Sequence, residues 1–157
     1  MTGTAEQLPI TSDERLQREL APGEYATIRE RFLHHYEREQ AGDVDGILTT
    51  MTPDCTYYLP QLGQRWQGHA GARVFYGALL GAFPDNTWDI DDLAIGPQGV
   101  LVVTTLHGRL AQPIFGFDAS KVGQLFRWRI VIMYPWDPAQ AKFTGETVYS
   151  FQPEPEG

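Results

Sequence analysis

Gly68-His69-Ala70-Gly71-Ala72-Arg73-Val74-Phe75-Tyr76, running on to Phe83-Pro84-Asp85, is the stretch that decides the fold. Its apolar residues recur at helical spacing, and Pro84-Asp85-Asn86 cannot continue a helix. A helix over 68–83 follows, delivering Phe75 and Tyr76 inward. The chain beyond it changes character. Thr87–Ile95, Val100–Leu110, Gln124–Trp136 and Lys142–Phe151 read as four strands rich in β-branched and aromatic residues. Gly96-Pro97-Gln98-Gly99 has hairpin chemistry, and residues 111–123 form a longer excursion.

Upstream, Tyr25, Ile28, Phe32 and His35/Tyr36 mark one face of an amphipathic helix that starts at Glu24 and stops at Ala41-Gly42. Asp43 caps a second, short helix reaching about Met51, and Pro53-Asp54 turns the chain into a strand, Cys55–Leu59. Residues 1–23 read as a polar arm. In it, Thr11-Ser12-Asp13-Glu14 is a capping box for a short helix through Leu20. Residues 152–157 read as a disordered tail. Helices first and strands afterwards is the α+β pattern. The expected architecture is a single domain over 24–151, a cone-shaped curved antiparallel sheet wrapped around three helices. The interior of such a cone is where a ligand goes.

Composition narrows the function classes. Twelve basic residues face 20 acidic ones, a net charge of −8, and no basic patch with interleaved aromatics appears. Nucleic acid is therefore not expected as a partner, because phosphate binding needs clustered Lys and Arg. Cys55 is the only cysteine, which excludes intrachain disulfides and thiol zinc sites. No apolar run approaches a membrane span, so no membrane is expected and the reading is cytoplasmic. His34, His35, His69 and His107 show no ligand spacing, and neither a metal nor a cofactor is expected.

Several further pieces carry a family resemblance: Ala41-Gly42-Asp43-Val44-Asp45-Gly46-Ile47, Pro53-Asp54-Cys55-Thr56-Tyr57, and Gly68 through Asp85. His107-Gly108-Arg109-Leu110 with Pro113-Ile114-Phe115-Gly116, and Arg129 to Tyr134 followed by Gly145-Glu146-Thr147-Val148-Tyr149, complete the series. In this order they resemble the nuclear transport factor 2-like superfamily, also described as a cystatin-like roll. Within it the chain is similar to the SnoaL-like polyketide cyclases and ketosteroid isomerases over roughly residues 24–151. The resemblance also marks departures. Leu59 stands where isomerase-like members carry a general-base aspartate, Ile132 where a second aspartate falls, and Leu110 where a histidine falls. By this alignment the family's standard acid–base groups are absent.

Strand alternation, threaded on the family, points Phe126, Trp128, Ile130, Ile132 and Tyr134 into the cone, with Val100, Val102, Thr104 and Leu106 beside them. The same parity turns Glu146 and Val148 inward. A carboxylate among Trp, Ile and Val is the making of a general acid or base. The competing reading puts Glu146 at the rim or in solvent, because Phe143, Tyr149 and Phe151 form an apolar face of opposite parity; Tyr149 is then the fallback. Tyr76 sits at the resemblance's pocket tyrosine, with Phe75 beside it, and His35 falls within one residue of another. A His35–Tyr76 contact suits either a polarising pair or a core hydrogen bond, and Tyr36 competes for the slot. Trp66 is either a lid over the pocket mouth or a cap on the hydrophobic edge.

The candidate catalytic residues are thus Glu146, Tyr76 and His35. The candidate ligand contacts are Leu59, Trp66, Phe75, Thr104, Trp128, Ile130, Ile132, Val148 and Tyr149. The expected ligand is a small apolar organic molecule. Leu101, Val103, Thr105, Leu125, Val131 and Met133 leave the outer sheet face apolar, which predicts a homodimer packed sheet to sheet, with Arg127 and Arg129 pairing across or around it. Three readings stand: a cofactor-free cyclase, isomerase, dehydratase or hydrolase acting on a ring-containing metabolite; a non-catalytic ligand-binding module; and a structural or interaction protein.

Overall fold

The computed structural model describes residues 12–151 and 153–156. Thr11, which opens the expected capping box, lies outside the described residues. The arm contributes α1 (Ser12–Gln17), tied to the far end of the sheet by Gln98, whose amide donates to the Arg15 carbonyl at 2.7 Å. Arg18 pairs with Glu24 at the start of α2 (Glu24–Gln40). The buried residues of α2 are Ile28, Phe32, His35 and Glu39, one stripe at helical spacing whose last two members are polar. Asp43 caps α3 (Val44–Leu48) by accepting from the Gly46 amide at 2.9 Å. In α4 (Gly68–Ala82) the inner face is Ala72, Phe75, Tyr76, Leu79 and Ala82.

The strands are β1 (Met51–Leu59), β2 (Gln64–Gln67), β3 (Thr87–Gly96), β4 (Gly99–Arg109), β5 (Leu125–Asp137), β6 (Lys142–Ser150) and β7 (Glu154–Pro155). They form one sheet in the order β2-β1-β6-β5-β4-β3, with β7 on β5. All pairs are antiparallel except β1 with β6. That one parallel pair is what a helix-connected first strand produces when the last long strand docks beside it. The tail expected to be disordered is partly corrected. Glu154–Pro155 pairs with Phe126–Arg127 of β5, and Glu156 accepts from or pairs with His107 at 2.8 Å.

One local feature sets the interior. From Met133 to Trp136 on β5 the partners run from Thr147 to Phe143 on β6, one residue more. Gly145 sits in this bulge at φ +143°, and a Cβ there would meet the Thr56 carbonyl oxygen at 1.9 Å. The extra residue shifts parity, so Phe143 and Glu146 both face inward while Tyr149 faces out. The two alternation patterns that competed in the sequence are therefore both present, on either side of a bulge.

Residues 111–123 leave the sheet at Leu110 and return at Gln124, with Gly123 donating to the Leu110 carbonyl at 2.7 Å. At their tip Ile114 and Phe117 exchange backbone hydrogen bonds at 3.1 and 2.8 Å around Phe115-Gly116. Both central residues have positive φ, 47° and 91°. That is the geometry of a type I′ turn, which glycine and asparagine adopt freely and phenylalanine does not.

Candidate active site

Glu146 is 2% exposed and stands on the wall of an interior cavity. Leu59, Phe75, Trp128, Ile130, Ile132 and Val148, all among the expected ligand contacts, line it. Leu79, Trp88, Phe115 and a second carboxylate, Glu39, complete the wall. The cavity is small, about 20 Å³. That is room for roughly one water molecule. The interior expected to hold a ring-containing molecule is thus closed in this conformation, and Phe115 is part of what closes it.

The polar cluster behind the wall is continuous. Tyr76 donates its phenol to Glu146 Oε1 at 2.7 Å, and His35 Nε2 lies 3.1 Å from the same oxygen. Tyr57 donates to the Tyr76 oxygen at 3.4 Å. Both the Tyr76 and the His35 contact fall on the same carboxylate oxygen of Glu146. Thr50 donates to the Ile47 carbonyl at 2.6 Å, which leaves its oxygen to accept from His35 Nδ1–H at 2.9 Å. With the Nδ1 hydrogen assigned this way, a single further proton lies between Nε2 and Glu146 Oε1. Burial first, and the charge of Glu146 second, push the phenols of Tyr57, Tyr76 and Tyr134 well above their ordinary value. The Cys55 thiol is pushed up to about 11 by the same causes, which makes it inert as a nucleophile near neutrality.

Tyr76 and His35 therefore do not line the cavity; they hold the residue that does. Three other expected ligand contacts lie off this cavity. Tyr149 is half exposed on the outer sheet face, because of the β6 bulge. Thr104 is buried, but its hydroxyl donates to the Asp89 carbonyl at 2.7 Å and borders a separate small void. Trp66 is half-buried and braces Phe75 and Phe115 edge-on, with ring centroids at 5.3 and 5.7 Å, from behind the wall. Tyr36 does not compete with His35; its hydroxyl donates to the Trp88 carbonyl at 2.9 Å. Leu59, Ile132 and Leu110 are all buried apolar residues at the positions where the resemblance carries acid–base groups. Glu39 and Phe115 were not singled out in the sequence. The signal for Glu39 was available: it continues the Ile28, Phe32, His35 stripe by one more turn.

Outside the cone, a vestibule of about 520 Å³ shares Phe115 and Trp128 with the cavity and is otherwise walled by residues such as Phe117, Phe126, Phe151 and Lys121. Its volume lies in the range of small-molecule sites. Phe115 stacks on Phe75 with ring planes 19° apart and centroids 5.6 Å apart, and its ring borders both spaces, as Trp128 does. On the outer face of the sheet Arg127 pairs with Glu154 and Arg129 approaches Asp91 at 3.8 Å. These arginines, expected to pair across or around a dimer interface, each approach a carboxylate of their own chain.

A family model described as "SnoaL-like domain" matches residues 31–151. The chain belongs to the SnoaL-like family. Among solved structures it is similar to a protein from Jannaschia sp. CCS1 described as a SnoaL-like polyketide cyclase, at 18% identity and TM-score 0.71, covering 85% of this chain and 90% of that one. SalBIII, an epoxide hydrolase/cyclase-like enzyme of pyran ring formation in salinomycin, matches at 19% identity and TM-score 0.64, covering 81% and 92%. TerC, co-crystallised with polyporic acid, matches at 20% and 0.64, covering 80% and 92%. At these identities the likeness is one of fold, the nuclear transport factor 2-like, cystatin-like architecture. No curated protein matches. Among the described residues of this SnoaL-like chain, no helix is long and apolar enough to cross a membrane, and no group of three His, Cys, Asp or Glu side chains is arranged to hold a metal ion.

Proposed function

We propose that this SnoaL-like protein is an acid–base enzyme that acts on a small, largely apolar, ring-containing metabolite with its own side chains and no cofactor. Glu146 is the base, its Oε2 facing substrate, while Tyr76 and His35 fix its other oxygen. The observation that carries the reading is a carboxylate 2% exposed on a largely apolar wall, held through one oxygen by Tyr76 and His35. The family supports it, and so do the cyclase- and hydrolase-like structural relatives. Substrate reaches Glu146 from the vestibule once the Phe115 ring swings aside. The family's missing aspartates are replaced in this account by a glutamate on a different strand, and the reaction is a cyclisation, isomerisation, dehydration or hydrolysis.

The test compares wild type with Glu146→Gln on a panel of ring-containing ketones, esters and epoxides. Wild type is expected to convert at least one of them. The variant should bind that compound and turn it over roughly a hundredfold more slowly or worse. Equal turnover would remove Glu146 from the chemistry. Binding without conversion by wild type would favour the second reading, a non-catalytic binding module, for which the tight interior speaks.

We further propose a cytoplasmic homodimer formed through the outer sheet face, supported by Leu101 and Tyr149, which are 43% and 50% exposed there. Sedimentation at micromolar concentration should show the dimer, and Leu101→Lys with Tyr149→Lys should dissociate it. A wild-type monomer would refute it.

A further inference from the structure

Glu39 is the second carboxylate on the cavity wall. It is 7% exposed and follows His35 by one helical turn. His35 Nε2 faces both carboxylates, Glu146 at 3.1 Å and Glu39 Oε2 at 3.9 Å. Among the described residues no Lys or Arg pairs with Glu39. The titratable groups around it are His35 and Tyr36 on α2, Tyr57 on β1, Tyr76 on α4, Tyr134 on β5 and Glu146 on β6. Two carboxylates sharing one imidazole in apolar surroundings do not both stay bare. Burial, and then the charge of Glu146, hold the Glu39 carboxyl well above the usual carboxylate range.

We infer that Glu39 is the proton donor of the site and Glu146 the acceptor, so that one turnover takes a proton from the substrate and gives another back. The inference rests on the reading of the interior as an acid–base site. Its steps balance. Glu146 Oε2 accepts a proton from a substrate C–H or O–H, and the electron pair left behind moves within the substrate. Glu39 delivers its proton to the substrate oxygen on which negative charge collects. The proton shared by Glu146 Oε1 and His35 Nε2 then moves through Nε2 to Glu39. The proton gained on Oε2 takes its place when the carboxyl group turns over, while the Nδ1 hydrogen remains on His35, donated to Thr50 Oγ1. A side-chain rotation or one water spans the 3.9 Å gap.

No acid or base is consumed overall. The substrate class is thereby narrowed to molecules carrying a removable proton close to a carbonyl, hydroxyl or epoxide oxygen. The reactions that fit are those that move a proton between two atoms, close a ring by addition, or expel water.

Infrared spectroscopy of the full chain at neutral pH tests this. Wild type should show the C=O stretch of a neutral carboxyl, and Glu39→Gln should lose it. Absence of the band in wild type, or its persistence in Glu39→Gln, overturns the inference. Should Glu39→Gln not fold, carboxyl-¹³C-glutamate NMR serves instead. One glutamate in wild type should keep the neutral position at neutral pH, and Glu39→Asp should remove that resonance; a wild type in which every glutamate is ionised refutes the assignment. Turnover without a neutral Glu39 sinks this inference alone, whereas a neutral Glu39 without any turnover sinks the enzymatic reading beneath it.

Discussion

Tyr76 on α4 donates its phenol to Glu146 on β6 at 2.7 Å, and this contact joins the helical layer to the sheet at the centre of the cone. Both residues are buried. A short bond from a hydroxyl to a carboxylate is of the charge-assisted kind. Tyr76→Phe should therefore cost about 1.5–3 kcal/mol in urea unfolding. It should also lower turnover, because Oε1 then depends on His35 alone. A change below the error of the unfolding measurement would mean the contact is not formed in solution.

The raised Glu39 carboxyl gives a pH dependence with a definite sign. Its folded value lies above the ordinary one of 4.5, so its stabilising effect is complete below that value and is lost as pH climbs through the raised folded one. Glu39→Gln removes the effect. The difference in Tm between variant and wild type should shift in the variant's favour as pH rises from about 4.5, then level off. A difference independent of pH would mean the carboxyl titrates normally.

Phe115 occupies a left-handed position at φ 47° and pays in strain for placing its ring between vestibule and cavity. Phe115→Gly should release about 1–3 kcal/mol of that strain. The lost stacking on Phe75 offsets it, and the Tm should move little. Stopped-flow binding of 2-naphthol should become about tenfold faster, the factor expected when an opening barrier falls by ~1.4 kcal/mol. An unchanged rate would show that access runs elsewhere.

Gly145 is where the bulge turns Glu146 inward. A methyl group there collides with the Thr56 backbone in a conformation alanine avoids. Gly145→Ala should destabilise the protein by about 3 kcal/mol or more in chemical denaturation. Near-native stability would mean β6 can re-register without it.

Helix α4, the four long strands and the inward parity of Phe126 to Tyr134 were legible because each follows a local period. So was the inward side of Glu146, through the threading on a family. Tyr149 was not placed correctly, since the Gly145 bulge depends on the neighbouring β1 backbone and leaves no local pattern. Glu39 was missed because a charged residue ending an apolar stripe usually reads as the solvated end of a helix. Phe115 and the tightness of the cavity were beyond the sequence. Whether a cone is hollow depends on how rings from the 111–123 excursion pack across it, and alternation does not encode that. The short strand β7 pairs through its backbone, and its composition reads as a tail.

Methyl-labelled NMR on the wild-type protein, titrated with a ring-containing ketone, tests most directly whether the cone is the ligand site. Ile130, Ile132 and Val148 touch the cavity, while Leu93, Leu101 and Val103 lie away from it. Shifts concentrated on the first three methyl groups, with Glu146→Gln leaving them in place, are what this account predicts. Shifts confined to the second set, with the cavity methyls unmoved at saturation, would contradict it.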